Sequence, residues 1–142
     1  ITLHCALGNF HSIEVEDLTK HKMDSEQMVV NKEACEIVNK TKLEGRHVCA
    51  VGTSVLKATE TAIGTDKMLK EYEGWTNKFI FPPYECGLAD TMIANFYQSM
   101  SPLLMATAAF GGYDLVMEAY QKAVDNGYMF GCYGDAMLIL ND

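Results

Sequence analysis

Hydrophobic spacing along the chain switches between a period of two and a period near 3.6, so its order predicts alternating strands and helices. Ile1–Leu7 alternates loosely and predicts a strand ended by Gly8-Asn9, whereas His11 to Lys22 carries charge without a period and predicts a long loop. Gln27–Val30 predicts a short strand. Asn31 then stands where an N-cap belongs, and Ala34, Ile37, Val38 and Thr41 repeat at i, i+3, i+4 and i+7 of a helix reaching about Glu44, with Gly45 as its stop. His47–Val51 is nearly unbroken apolar sequence, which suits a buried strand, and Gly52-Thr53-Ser54 turns it into a second helix through Ala62. Ile63 to Asn77 is polar and Gly-containing and predicts a mobile loop; Lys78–Phe81 predicts a strand stopped by Pro82-Pro83. Cys86–Asn95 is ambiguous by period, and its Thr91–Ile93 centre favours strand. Ser101-Pro102 opens a helix to Phe110, stopped by Gly111-Gly112. Asp114 opens another, with Leu115, Val116, Ala119, Tyr120 and Ala123 on its apolar face, ending at Gly127. Ala136–Leu140 closes the chain as a strand. The class expected is α/β or mixed α+β: residues 1–142 as one domain, with a mostly buried mixed sheet flanked by helices.

Composition narrows the function classes. The 142 residues carry no internal repeat, low-complexity tract or linker, which fits one compact domain. Nineteen acidic residues against eleven basic ones leave a net charge of −8, and only Arg46 among the bases is Arg. That disfavours a general nucleic-acid coat, because counterion release needs a dense array of cations. With 49% hydrophobic and 21% charged residues, the chain has enough apolar surface for a core. Its longest apolar runs, such as Leu103 to Phe110, fall far short of the ~20 residues that span a bilayer. No basic stretch followed by an apolar one opens the chain, so no signal peptide is expected. A start at Ile1 without Met points to a fragment or a processed chain. Five widely spaced cysteines lack any Cys-x-x-Cys pair, which predicts neither zinc nor a disulfide framework but a reduced, cytoplasmic setting. Cys5 and Cys49, among apolar neighbours, are expected as small buried hydrophobes, and the nine Met as core filler.

Three polar clusters and one lone carboxylate remain as candidate sites. Strand, Gly52-Thr53-Ser54, then helix reads either as an anion cradle built on free helix N–H groups or as a turn capped by Ser54. It matches neither the dinucleotide nor the P-loop glycine pattern, and it misses the nucleophile elbow by one position. His4, His21, Asp24 and Glu26 gather titratable groups around the first strand and loop, suited to acid–base chemistry or to simple solvation. Asp90, in an apolar stretch, must find a partner or shift its pKa. Tyr133-Gly134-Asp135 offers stacking and an acceptor, or nothing more than a turn.

An ordered set of motifs carries the reading further. Leu3-His4 with Leu7-Gly8-Asn9-Phe10, then His21-Lys22-Met23-Asp24-Ser25-Glu26, then Ala50-Val51-Gly52-Thr53, Asp90 with Asn95-Phe96, Ser101 with Leu103-Leu104, and Tyr133-Gly134-Asp135-Ala136-Met137 resemble the S-adenosylmethionine:tRNA ribosyltransferase-isomerase family of queuosine biosynthesis. The resemblance runs across essentially the whole chain. It implies an enzyme that moves the ribosyl part of S-adenosylmethionine onto the aminomethyl-deazaguanine base at the tRNA wobble position. Epoxyqueuosine forms, and adenine and methionine leave. The sulfonium acidifies the adjacent ribose carbon for a positioned base, and adenine departs with help from a proton donor or hydrogen bonds.

By the same resemblance His4, His21, Asp90 and Asp135 are the catalytic candidates. Gly8, Phe10, Glu26, Gly52, Thr53, Lys57, Asn95, Phe96, Ser101 and Tyr133 are the substrate-binding ones, with the aromatic faces of Phe96 and Tyr133 available to the sulfonium. Partners implied are S-adenosylmethionine and the tRNA anticodon loop, with no metal, no membrane and a monomeric state; a local basic patch suffices to grip one loop. The family usually carries Arg where Lys57 and Met129 stand, His at Tyr97, Pro at Ser99, and Thr at Ser54 and Pro102. Its N-terminal portion and a second, β-rich domain lie outside this chain. The chain is therefore expected to be a catalytic-domain fragment of a two-domain enzyme, inactive alone if part of the site is missing. The alternative is a non-catalytic fragment or paralogue that keeps the fold to bind a nucleoside or a protein.

Overall fold

The computed structural model describes residues 1–141, in a mixed α+β arrangement of two three-stranded sheets and four α-helices. In chain order they are β1 (Thr2–Leu3), β2 (Glu26–Val30), α1 (Lys32–Leu43), β3 (Cys49–Val51), α2 (Thr53–Ala62), β4 (Tyr72–Thr76), β5 (Thr91–Asn95), α3 (Pro102–Gly111), α4 (Tyr113–Asp125) and β6 (Ala136–Leu140). Two 3-10 turns, Leu7–Phe10 and Leu18–Lys20, interrupt the long segment between β1 and β2. The strands therefore divide between two sheets instead of forming the one expected. The first is antiparallel, in the order β1-β2-β4, with Leu3 opposite Met28 and Met28 opposite Gly74. The second runs β3-β5-β6: β3 and β5 are parallel, Ala50 beside Met92, and β6 returns antiparallel with Ile139 beside Met92.

Helix α2 lies between the two cores. Its Leu56 packs with Ala50, Met92, Leu104, Phe110 and Ile139. Its Ala58 and Ala62 pack with Met28, Val30, Leu69 and Leu88 under the first sheet. The helix ends follow from their caps. Asn31 Oδ1 accepts from Ala34 N–H at 2.9 Å to start α1, and Ser101 Oγ accepts from Leu104 N–H at 3.1 Å to start α3, whose first residue is Pro102. Along α1 only Cys35 is buried, with Ala34 and Val38 partly so; Ile37, expected on the same face, is exposed. Leu115 on α4 is likewise exposed, and Val116 and Ala123 form that helix's buried stripe.

Other expectations change at particular residues. The first strand stops at Leu3 because the chain bends toward β2: His4 N–H still reaches Gln27 O, but Ala6 N–H donates to the Glu26 carboxylate. The expected loop from Ile63 to Asn77 contains β4, which pairs with all five residues of β2. Its alternation is hidden because its partly or fully buried positions are Tyr72, Gly74 and Thr76, none of them aliphatic. The expected strand at Lys78–Phe81 joins no ladder among the described residues. Cys5 and Cys49 are exposed, contrary to expectation; among the described cysteines only Cys35 is buried. In β3 the period of two turns Ala50 inward and sends Cys49 and Val51 outward. The outer face of that sheet keeps Val51, Ile93, Leu138 and Leu140 open to solvent.

Candidate functional site

The parallel pair β3-β5 ends where α2 begins, the position at which open α/β sheets offer helix N-termini to ligands. Gly52 makes the corner. Its φ of 95° is a conformation that side chains rarely adopt, and its N–H donates to Ile93 O at 2.8 Å. Nothing lies within 4 Å of where a Cβ would stand, so conformation rather than space requires the glycine. One turn along, Lys57 is only 5% exposed. Its ammonium forms an ion pair with Glu26, the first residue of β2, and lies 3.5 Å from Asn9 Oδ1. Glu26, 3% exposed, accepts through Oε1 from Asn9 Nδ2 at 2.6 Å and from Ala6 N–H at 2.7 Å. A buried charge pair is tolerable only with such extra bonds. Burial lowers the Lys57 pKa below the ordinary lysine value, with the Cys5 thiol acting weakly the other way.

Three hollows surround this network. A cavity of about 20 Å³, room for one water, is lined by Asn9, Thr53, Ser54, Lys57 and Lys78 among others. A slot of about 170 Å³ lies between Asn9 and Phe10 on one side and Tyr97, Gln98 and Cys132 on the other. An open concavity of about 600 Å³ is framed by Gly8, Phe10, His11, Lys20, His21, Lys22 and Asp24. The 3-10 turn Leu7–Phe10 is shared by all three, so the Lys57–Glu26–Asn9 network anchors a common wall. Gly8 is packed so closely that a Cβ there would come within 2.5 Å of Asp24 Oδ2. His21 stacks on Phe79 at 4.7 Å, and its Nε2 is buried without a partner among the described residues.

The expected site residues thus fall into distinct places. Glu26, Gly52, Thr53 and Lys57 gather at the start of α2, and Gly8, Phe10 and His21 at the adjoining concavity. His4 is exposed and lines none of the three hollows. Asp90 sits at the opposite end of β3 and β5 from Gly52. Its Oδ2 accepts from Val48 N–H at 2.9 Å and its own N–H donates to Val48 O, so the carboxylate found its partner in the backbone. Asn95, Phe96 and Asp135 form another group, tied by Asn95 Nδ2 to Asp135 O at 3.2 Å and by Phe96 N–H to Asp135 O at 3.3 Å. Asp135 Oδ2 accepts from Met129 N–H at 2.8 Å. Phe96 does not offer the free aromatic face expected of it: it is 4% exposed and enclosed by Tyr120, Tyr128 and Phe130. Tyr133 is fully exposed. Ser101 caps α3 and lines the slot.

Sequence reasoning gave no site role to Asn9, noted as a strand stop and as part of the Leu7-Gly8-Asn9-Phe10 motif, and passed over Glu60. The Glu60 side chain is buried and accepts from Gly87 N–H at 2.9 Å, Leu88 N–H at 3.2 Å and the Tyr84 hydroxyl at 3.1 Å, fixing the loop before β5 to α2. Lys78 Nζ reaches the same hydroxyl at 3.2 Å. Among the described residues no three His, Cys, Asp or Glu side chains could hold a metal ion, and no helix is long and apolar enough to cross a membrane.

A family model described as queuosine biosynthesis protein matches residues 1–139. The chain belongs to that family. Relatives named S-adenosylmethionine:tRNA ribosyltransferase-isomerase include those of Phocaeicola vulgatus, 63% identical over 141 residues, and Coxiella burnetii, 44% identical over 139. These alignments cover 99% and 98% of this chain and 40% of each relative, so the chain spans about two fifths of the length of the relatives it matches. The crystal structure of S-adenosylmethionine tRNA ribosyltransferase from Thermotoga maritima superimposes with a TM-score of 0.76 at 43% identity, covering 81% of this chain and 40% of that one. Within the queuosine family, then, this segment is a recurring unit.

Proposed function

We propose that the chain is the catalytic-domain portion of an S-adenosylmethionine:tRNA ribosyltransferase-isomerase. In this reading the whole enzyme transfers the ribosyl moiety of S-adenosylmethionine to the aminomethyl-deazaguanine wobble base of tRNA in the cytoplasm, giving epoxyqueuosine. The carrying observation is 63% identity across 99% of the chain to a relative bearing that name. The geometry supports roles for this chain's own groups. His21 lines the open concavity and the exposed His4 lines none of the hollows, which favours His21 as the group that takes the proton acidified by the sulfonium. Phe10, exposed between two hollows, and Tyr133 offer faces for a base or for the sulfonium. Lys20 and Lys22 stand at the rim of the concavity as candidate phosphate contacts, with Glu14 and Asp24 on the same rim and Asp17 paired to Lys20, so the concavity itself carries no net positive charge. Glu26 acts by holding Lys57 and Asn9, and Asp90 by stapling strands; neither touches substrate.

The test is a chimera of the Phocaeicola vulgatus relative in which this chain replaces the matching 141 residues. It is assayed for adenine release with S-adenosylmethionine and an anticodon stem-loop. Release is expected, with His21→Asn lowering kcat about 10²-fold. A folded chimera that releases no adenine above background leaves the non-catalytic nucleoside- or protein-binding paralogue as the reading.

A further inference from the structure

The start of α2 has more hydrogen-bonding capacity than the fold uses. Gly52 caps it without a side chain, and the first bond inside the helix runs from Leu56 N–H to Gly52 O. The N–H groups of Thr53, Ser54 and Val55 thus have no acceptor among the described residues. Thr53 is 4% exposed, yet its hydroxyl makes no hydrogen bond to a described residue and is not sealed from the adjoining cavity. The hydroxyl is thus a free donor and acceptor that opens onto the cavity from a side chain otherwise packed away. Two ammonium groups line the same cavity. Lys57 is neutralised by Glu26, but Lys78 is bonded only to the Tyr84 hydroxyl and has no carboxylate within ion-pair distance among the described residues. Lys78 is balanced only at one remove, through the Tyr84 hydroxyl that itself donates to Glu60, and the helix end adds a partial positive charge to the cavity.

We propose that this cavity binds one oxygen of a substrate oxyanion, held by the Thr53 hydroxyl, the N–H groups at the start of α2 and the Lys78 ammonium. The room for a single water is the room for a single carboxylate or phosphate oxygen, with the rest of the group at the cavity mouth beside Ser54. Lys57 acts behind it, holding the wall formed by Asn9. The proposal rests on the reading above for the identity of the anion: the carboxylate of S-adenosylmethionine and the phosphodiester of the RNA share the chemistry, and the substrates separate them.

In the chimera, Thr53→Val keeps the shape of the side chain and removes its hydroxyl. It is expected to raise the KM for one substrate about tenfold with kcat within twofold, and Thr53→Ser is expected to restore the KM. A rise for S-adenosylmethionine, with no further loss on its decarboxylated analogue, assigns the carboxylate; a rise for the stem-loop assigns the phosphate. Lys78→Gln is expected to affect the same substrate. Unchanged KM values for both substrates overturn the proposal. Should the chimera release no adenine, the reading of the reaction fails by itself, and titration of the 142-residue chain with inorganic phosphate decides the anion site. Amide shifts centred on residues 53–55 and abolished by Thr53→Val then support it; no shift there overturns it.

Discussion

Replacing Lys57 by Met is the sharpest probe of the network behind the site. Met fits the outline of the Lys stem, so packing against α2 is kept and the charge is lost. Glu26 is left 3% exposed, with Asn9 Nδ2 and Ala6 N–H still donating to Oε1 but nothing opposite Oε2. Removing one partner of a buried pair typically destabilises by about 3–5 kcal/mol. That is a large part of the roughly 5–15 kcal/mol that holds a domain together. For a chain of this length it corresponds to a fall in Tm of about 10–15 °C, at roughly 3 °C per kcal/mol. The orphaned carboxylate can escape by taking a proton, so the penalty should shrink as pH falls. Urea denaturation at pH 7 and pH 5 measures both effects. Glu26→Gln alone and in combination with Lys57→Met completes a double-mutant cycle, in which a coupling of about 1–3 kcal/mol is expected. A single-mutant loss below about 1 kcal/mol, with no coupling, would refute the claim that the pair anchors the Leu7–Phe10 turn.

Two further outcomes follow from local structure. Burial pushes the Cys86 thiol up to about 12 from 9.0, with Glu60 adding to it, and the Tyr120 hydroxyl up to about 12 from 10.0. Between pH 9 and 12 the unfolded chain therefore holds fewer protons than the folded one, so stability is full below pH 9 and falls as pH rises. Urea midpoints across that range should decline, and Cys86→Ala with Tyr120→Phe should flatten the decline; a flat wild-type profile would contradict the burial argument. Gly52→Ala places a Cβ in open space but at φ 95°, so the cost should be strain alone, about 1–3 kcal/mol by calorimetry, and a neutral result would show that the corner relaxes.

Much of the fold was legible because it depends on neighbours in the chain. The caps Asn31 and Ser101, the Pro102 start, the Gly52 corner and the apolar strand β6 are all local signals, and each stands where its pattern placed it. What could not be read depends on partners far along the chain. Strand β4 exists because β2 supplies a ladder, and its inward Gly74 and Thr76 give no hydrophobic alternation. Lys78–Phe81 has the composition of a strand but pairs with neither sheet; Phe79 instead lies against His21. Phe96 looked like a free aromatic face because Tyr120, Tyr128 and Phe130, which enclose it, are 24 or more residues away.

The site follows the same division, with one exception that sequence could have exposed. The corner at Gly52-Thr53 is local and was visible, while the pairing of Lys57 with Glu26 spans 31 positions and was not. Yet α2 lies between two predicted strands in a short αβ chain, a place where a helix is covered on several sides. A helix so covered should be apolar all round, and this one carries Lys57, Thr59 and Glu60 in succession with alanines. Charges in that setting must be matched inside the protein. Lys57 and Glu60 are not matched to each other: one turns to Glu26 and Asn9, the other to the loop at Gly87. Lys57, Thr59, Glu60 and Thr61 are therefore tethers, whereas Thr53, buried at the start of the helix, and Ser54 beside it have no such tether among the described residues. On the proposed oxyanion site, that asymmetry is what separates a substrate-facing group from a structural one on the same helix.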